Sequence, residues 1–527
     1  MSFSLALIKP KNIPSFWSAD YNRGIRKDKA TTYPLELATV AGIFDFNGIK
    51  NIILIDENIY DHYESALNSD VIGITGFPNQ KDKIFQLSQF FYNKGKCVII
   101  GGPLATIFPE ETSKFCTSVF IGDSESTIPI FINDYKNGQL KKFYAFSKFP
   151  LSEAFYFPRF DLIKYSEYSY GMIQTTRGCP FSCEYCAIYL HSGKKVRNKS
   201  VSMVIDELDY LLKTKGPTAI LIADDNSAAN PLYFKKLLKE IILFQEKNNY
   251  PFRFGTEITV LIANDDEMLR LMAVAGFYIL FLGLETPSKI SLNEANKNHL
   301  LKINVYDAVK KIQSYGICID SGGLLGFDND TKDIFNEHYD FYQTLNIPCI
   351  YLSVLYATPG TEFYKRLDKE GRINGDKFSL GSNQGSLQTA LTTNIIPKNM
   401  SKEEIIDGYK KLTEKLYSFD AFGKRLVGYL QVPVKINNED FISPFTGNSG
   451  VIVFLFKISF FYLIENFPKS FIIYLRAIYM ALKSKRLYIT FHHLVHFKQT
   501  YTYHLKVIKG EKTSTKYDKL VSWFSNN

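Results

Sequence analysis

Residues 177 to 189, RGCPFSCEYCAIY, bring together three of the chain's seven cysteines, Cys179, Cys183 and Cys186, in the spacing CxxxCxxC. They follow the short apolar run GMIQTT (171–176), which reads as a strand, so the thiols stand on the loop that leaves it. Such clustering needs a cause, and three are open. A structural zinc site closes with four Cys or His ligands; His191 is near, but no second cysteine pair stands at ribbon spacing. A redox dithiol needs only CxxC and leaves Cys179 without a role. A [4Fe–4S] cube held by three thiolates keeps one iron open to a substrate or cofactor.

Disulfides are not expected. The cysteine count is odd, and the opening MSFSLALIKPKNIPSFWSADYNRG shows no charged leader, apolar core and small-residue cleavage site. A reducing, cytoplasmic setting is the expectation. At 527 residues the chain should form two or three domains, and 46% hydrophobic with 22% charged residues excludes a disordered chain. The net charge of +9 is carried by scattered lysines, so no nucleic-acid partner is expected. A basic surface facing anionic lipid fits that charge at least as well.

Downstream of the cysteines, strand-like runs recur at TAILIAD, FRFGTEIT, YILFLGLET, ICIDSGGLLGF and CIYLSVLYATPG, separated by helical patterns over 201–214, 231–246, 265–275, 302–315 and 331–345. Six such units predict a partial (β/α)6 barrel over 171–375, open at the carboxyl ends of its strands. Upstream, PLELATVAGIFDFNG, NIILID, DVIGITG, KIFQLSQFFYNKG, KCVIIGGP and SVFIGD alternate helix and strand. They predict a doubly wound parallel-sheet domain over 1–140, joined by a linker, 141–170. Asp56, Gly73, Gly76, Gly101, Gly102 and Gly122 are expected at its strand ends, where ligands bind. With no GxGxxG fingerprint, tight turns explain the glycines equally well. The fold class is therefore α/β, followed by a mainly helical C-terminal extension over 376–527. There Ser401 and Glu404 form a capping-box pattern. The apolar runs 451–468 and 470–489 are interrupted by Lys457, Glu465 and Arg476, which predicts buried or surface-lying helices and no membrane span. In the surface-lying reading Lys483, Lys485 and Arg486 approach lipid headgroups.

The cysteine run, with aromatic Tyr185 before its last thiol and a six-unit β/α series around it, closely resembles the radical S-adenosylmethionine enzymes. The resemblance implies a [4Fe–4S] cluster on Cys179, Cys183 and Cys186, whose open iron binds S-adenosylmethionine and whose electron cleaves it to methionine and a 5′-deoxyadenosyl radical. It places Asp225 of IADDN at the methionine amino group. Without the cysteines, Asp224 and Asp225 could be a helix cap in a solvated loop. Glu257 and Glu285 end strands on the same rim, where carboxylates accept hydrogen bonds from ribose or ammonium groups. Gly326 of GGLLGF lies where the family approaches adenine. PSFW, YPLELATVAG, IILID, GGPLATIFPE and GDSES resemble the N-terminal domain of the cobalamin-binding branch; RNKS, ETP, YATPGTEFYKRLDKEGR and NIIPKNM resemble the subgroup with the hopanoid methylases. This implies cobalamin, along the loops around Gly73 to Phe77 and Gly101 to Pro103, without a histidine on cobalt. DxHxxG is absent and His62 has another context. Departures are Tyr33-Pro34 and Glu36, where the family carries two prolines and a glycine, and Ala187, where an acid is common.

The function implied is methylation of an unactivated carbon in a lipid, isoprenoid or other small molecule. One S-adenosylmethionine would remethylate cobalamin, another would supply the radical, and an electron donor such as flavodoxin or ferredoxin would feed the cluster. The competing readings are a radical cyclase or rearrangement enzyme and a non-catalytic iron–sulfur or zinc regulator.

Overall fold

The computed structural model describes residues 3–13, 28–60, 63–145, 155–374, 392–436 and 449–505. PSFW, His62 and residues 375–391 of the polar loop lie outside them. In chain order the strands are β1 (Leu5–Lys9), β2 (Ala30–Thr32), β3 (Ile52–Asp56), β4 (Val71–Thr75), β5 (Cys97–Gly101), β6 (Ser118–Ile121), β7 (Phe143–Ala145), β8 (Tyr168–Ile173), β9 (Thr176–Arg177), β10 (Arg197–Asn198), β11 (Ala219–Ile222), β12 (Arg253–Glu257), β13 (Phe277–Glu285), β14 (Cys318–Leu325) and β15 (Cys349–Val354).

The first sheet is parallel throughout, in the order β3-β1-β4-β5-β6-β7. Its strands are apolar on both faces because both are covered. Leu5, Leu7, Val71 and Ile99 pack toward helices Leu35–Phe46 and Thr127–Lys136, while Ala6, Ile8, Ile72 and Val98 pack toward helix Lys81–Tyr92. The first five strands have the flavodoxin-like order, which puts the ligand crevice at the carboxyl ends of β1 and β4, where the winding direction reverses. Strand β1 is interior, paired on both sides, yet its five-residue run LALIK stands outside the alternating pattern that begins at Pro34. Gly73 differs from expectation. It is the middle residue of β4, and a Cβ there would lie 2.7 Å from the Leu7 side chain, so its smallness serves packing between strands.

The second sheet is also parallel, ordered β2-β8-β11-β12-β13-β14-β15, and makes a half-barrel of six successive β/α strands. Its seventh strand comes from the N-terminal region: Ala30 pairs with Tyr168 and Thr32 with Tyr170. The Tyr168 hydroxyl donates to buried Asp56 at 3.0 Å, and that of Tyr33 donates to the Met172 carbonyl at 2.5 Å. The two sheets are thus stitched at the carboxyl end of β3 and along β8.

C-terminal to the barrel, helix Lys402–Leu416 starts with the expected capping box, Ser401 Oγ accepting from Glu404 N at 3.1 Å and the Glu404 carboxylate from Ser401 N at 2.8 Å. Helices Phe419–Gln431, Ser449–Ile464, Lys469–Ser484 and Leu487–Tyr503 follow. The last, unforeseen from the apolar pattern, is buried along most of its length. It crosses the floor of the half-barrel, touching the first residues of several strands through Tyr488 over Arg253, His493 beside Cys318, and His496 beside Tyr351. Arg486 corrects the expectation that it meets headgroups. It is 1% exposed, donates to the carbonyls of Leu430 and Val432 and lies 4.7 Å over the Tyr429 ring. The start of the floor helix leaves it no route to the surface. No helix among the described residues is long and apolar enough to cross a membrane.

Candidate active site at the mouth of the half-barrel

The cysteine loop is held from both ends. At its start Gly178 adopts φ +91°, where a Cβ would stand 2.6 Å from the Lys195 carbonyl, and its N–H donates to Asp225 at 2.9 Å. In the middle, Glu184 N donates to Ala295 O at 2.9 Å and Glu184 O accepts from Phe363 N at 3.0 Å. The Glu184 carboxylate takes a two-pronged contact from Arg366, at 2.7 and 3.2 Å. The Cys186 N–H turns back onto the Cys183 carbonyl at 3.2 Å.

All three thiols are free of disulfides and half-buried. Burial raises the pKa of each, that of Cys186 to about 12, against a smaller opposing pull from Lys297. Thiols so placed become thiolates by binding metal. The donor set discriminates between metals: three thiols leave a closed zinc site one ligand short, whereas a cube held by three protein thiolates keeps one iron open.

Around the loop the rim is acidic. Asp224 and Asp225 end the β11 segment with opposite assignments. Asp224 is 2% exposed and accepts from Thr175 N at 2.7 Å, Thr176 N at 2.9 Å and Ser227 Oγ at 3.0 Å, so it builds the scaffold. Asp225 takes the Gly178 N–H and stands beside Cys179 and Glu257. Glu257, the last residue of β12, opens into the mouth. The enclosing walls, and then the negative charges of Asp225 and Glu285, push its carboxyl up to about 7. Glu285 ends β13 at φ +63°, beyond a register shift at Gly283. That strained backbone turns its carboxylate onto Lys297, whose ammonium lies 3.4 Å from the Tyr185 hydroxyl. Burial would deprotonate Lys297, but Glu285 and the cysteine sulfurs outweigh it and raise its pKa.

The structure therefore brings Cys179, Cys183, Cys186, Tyr185, Asp225, Glu257 and Glu285 to one mouth. Gly326 follows β14 at φ +100°, but its N–H is taken by Asp330 at 2.9 Å, which makes it part of a closed turn. In the first sheet Gly76 and Gly101 stand at the ends of β4 and β5. Gly102, at φ +84°, opens helix Gly102–Ile107 with a Cβ position already filled by the Thr75 hydroxyl. Glu36 pairs with Lys9 of β1 at 3.1 Å, at the reversal crevice.

Five residues escaped the sequence reading. Arg177 forms ion pairs with Glu125 and, at 3.7 Å, Asp123, while Arg197 binds Asp123 and the Ser192 carbonyl. These carboxylates sit after β6 in GDSES, and the charge excess there was the available signal. Helix Gly102–Ile107 also packs on helix Ile188–His191, just beyond the cysteines. The carboxyl ends of the two sheets thus meet at these contacts. Lys297 carried no local signal at all.

The radical SAM superfamily model matches residues 173–342, and a domain of unknown function (DUF4070) matches 361–503. The chain is 32% identical over 413 residues to an uncharacterized methyltransferase of Synechocystis sp., spanning 78% of this chain and 75% of that protein. The chain belongs to the radical SAM superfamily. Hopanoid C-2 methylase of Rhodopseudomonas palustris is 26% identical over 377 residues, 70% of each chain. Among solved structures, the cobalamin-dependent S-adenosylmethionine radical enzyme OxsB, with aqua-cobalamin and S-adenosylmethionine bound, aligns with a TM-score of 0.61 at 14% identity over 100% of this chain and 84% of that one. TsrM from Kitasatospora setae, with cobalamin and a [4Fe–4S] cluster bound, aligns at 0.56 and 14% identity over 70% and 75%. These two likenesses establish a shared fold. Superfamily membership brings a [4Fe–4S] cluster and S-adenosylmethionine as cofactors.

Proposed function

We propose that this radical SAM protein is a cobalamin-dependent methyltransferase acting on an unactivated carbon of a small apolar molecule, a lipid or isoprenoid. In this reading Cys179, Cys183 and Cys186 hold the cluster, and Asp225, Glu257 and Glu285 receive the polar groups of S-adenosylmethionine. The ends of β1, β4 and β5, with Gly76, Gly101 and Gly102, would hold cobalamin. The bound cofactors supply the radical and the methyl group. The chain's own residues supply placement. Arg366 and Ala295 fix the cysteine loop, Gly178 ties it to Asp225, and Lys297 offsets the charge of Glu285 beside Tyr185. Positioning matters because a carbon radical reacts with whatever is nearest. An external one-electron donor of the flavodoxin or ferredoxin class completes the reading.

The observation that carries it is the contact between the ends of the two sheets: Asp123 and Glu125 after β6 grip Arg177 and Arg197, which flank the cysteine loop. A cofactor in the first crevice then faces the barrel mouth, and the methyltransferase relatives favour methyl transfer over other radical outcomes. The test is anaerobic purification with iron, sulfide and cobalt counted per chain, followed by turnover of lipid extracts with methyl-deuterated S-adenosylmethionine. The expected result is cobalt bound beside an intact cluster and deuterium in a new C–methyl group. Protein that keeps its cluster but refuses cobalamin, or that cleaves S-adenosylmethionine without labelling any product, sinks the reading.

Peripheral membrane contact belongs to the same proposal. On helix Lys469–Ser484, Ile472, Leu475, Tyr479 and Leu482 are exposed at helical spacing, with Phe456 and Phe467 exposed nearby and Lys483 and Lys485 beside them.

A further inference from the structure

Beneath the mouth, at the opposite end of the half-barrel, a second set of metal-binding side chains converges. Strand β14 directs Cys318 and Asp320 to one face, and β15 directs Cys349 and Tyr351 likewise, with Asp320 paired in register to Cys349. The floor helix lays HHLVH across them, so that His492 and His496, one turn apart, share a face. The ligand atoms of Asp320, His492 and His496 all lie within 4.8 Å of one another. Asp320 is 5% exposed, and one of its carboxylate oxygens has no hydrogen-bond partner. A buried carboxylate oxygen left bare is costly and calls for a compensating group.

We propose that Asp320, His492 and His496 form a binding site for a divalent transition-metal ion of the zinc class, which pins the C-terminal helix across the floor of the half-barrel. Two imidazoles at i and i+4 with one carboxylate make a recurrent ligand set for such ions and leave an open position. The hydroxyl of Tyr351 lies 3.0 Å from the His496 ring nitrogens and that of Tyr170 lies 3.4 Å from His492 Nδ1, which places polar groups where they orient ligating imidazoles. Another triad shares Asp320 and adds Cys349 and His493. It is less suited, because all three of its members are buried, which leaves an ion no route in. His492 and His496 are only half-buried, which leaves an ion a route in.

The test uses full-length protein carrying its cluster, dialysed anaerobically against zinc sulfate and then against metal-free buffer. Elemental analysis should find about one zinc per chain. Zinc-edge X-ray absorption should show a nitrogen and oxygen shell at about 2.0–2.1 Å with imidazole scattering. His492→Asn combined with His496→Asn should lower the zinc content about tenfold or more, while Cys349→Ala leaves it unchanged. Absence of zinc, a shell dominated by sulfur, retention in the histidine variant, or loss on Cys349→Ala would each overturn the assignment. Should the double variant not fold, the absorption spectrum of the wild-type protein decides alone.

Discussion

Arg177, two residues before the first cysteine of the loop, forms a salt bridge with Glu125, which stands in the other sheet after β6. Arg177 is held between that carboxylate, Asp123 and the face of Phe155 at 4.9 Å. The loop on which the proposed cluster sits is therefore tied to the crevice proposed for cobalamin by this guanidinium, with Arg197 and Asp123 making a second tie on its far side.

Glu125→Gln preserves shape and removes the charge. It is expected to cost about 1.5–3 kcal/mol, the worth of a charge-assisted hydrogen bond in a partly buried site. Methyl transfer should fall while iron per chain stays constant, because the link is weakened and the cysteines are untouched. Denaturation curves and metal counts check both halves; a parallel loss of iron would show that the pair merely supports the loop.

Adjacent aspartates should behave differently. Asp224→Asn disturbs a buried acceptor of several protein N–H and O–H groups and should destabilise the fold by about 1–3 kcal/mol. Asp225→Asn should leave the melting temperature nearly unchanged and weaken S-adenosylmethionine binding, measured by equilibrium dialysis. Gly178→Ala should reduce iron incorporation, since the new Cβ meets the Lys195 carbonyl at a φ of +91°. Equal effects at 224 and 225 would count against the division of labour.

For Glu257 the sign of the pH effect is set by a folded pKa of about 7 against an ordinary 4.5. Between these values the folded protein holds more protons than the unfolded chain. The contribution of this group is thus fully present below about 4.5 and is lost as pH rises through about 7. Without ligand, Glu257→Gln should match the wild type in acid and become relatively more stable toward about pH 8. Thermal melts across that range give the comparison, and parallel curves would remove Glu257 from the electrostatics of the mouth.

Flotation with liposomes tests the helical surface. Anionic vesicles should carry the wild-type protein, and Leu475→Asp with Tyr479→Asp should abolish this, because both positions are exposed on one helical face. Arg486→Gln should not reduce vesicle binding through lost charge, since that guanidinium is internal. Wild-type protein that floats with neither anionic nor neutral vesicles ends the membrane proposal.

The two parallel α/β series, the capped helix at Ser401 and the grouping of three thiols on the loop after a strand are all legible in the sequence. Each is a local property: periodicity, turn chemistry or spacing along a few residues. Which of two neighbouring aspartates is structural was settled by tertiary packing, because Thr175 and Thr176 reach Asp224 from the end of the adjacent strand. That packing likewise moved Ala30–Thr32 to the edge of the barrel, placed β1 between β3 and β4 in the first sheet, turned Arg486 inward and set Lys297 against Glu285. The floor is the clearest case. Asp320 and His496 are 176 positions apart, and no window of sequence carries the packing that brings a strand's first turn of side chains against a helix from the far end of the chain.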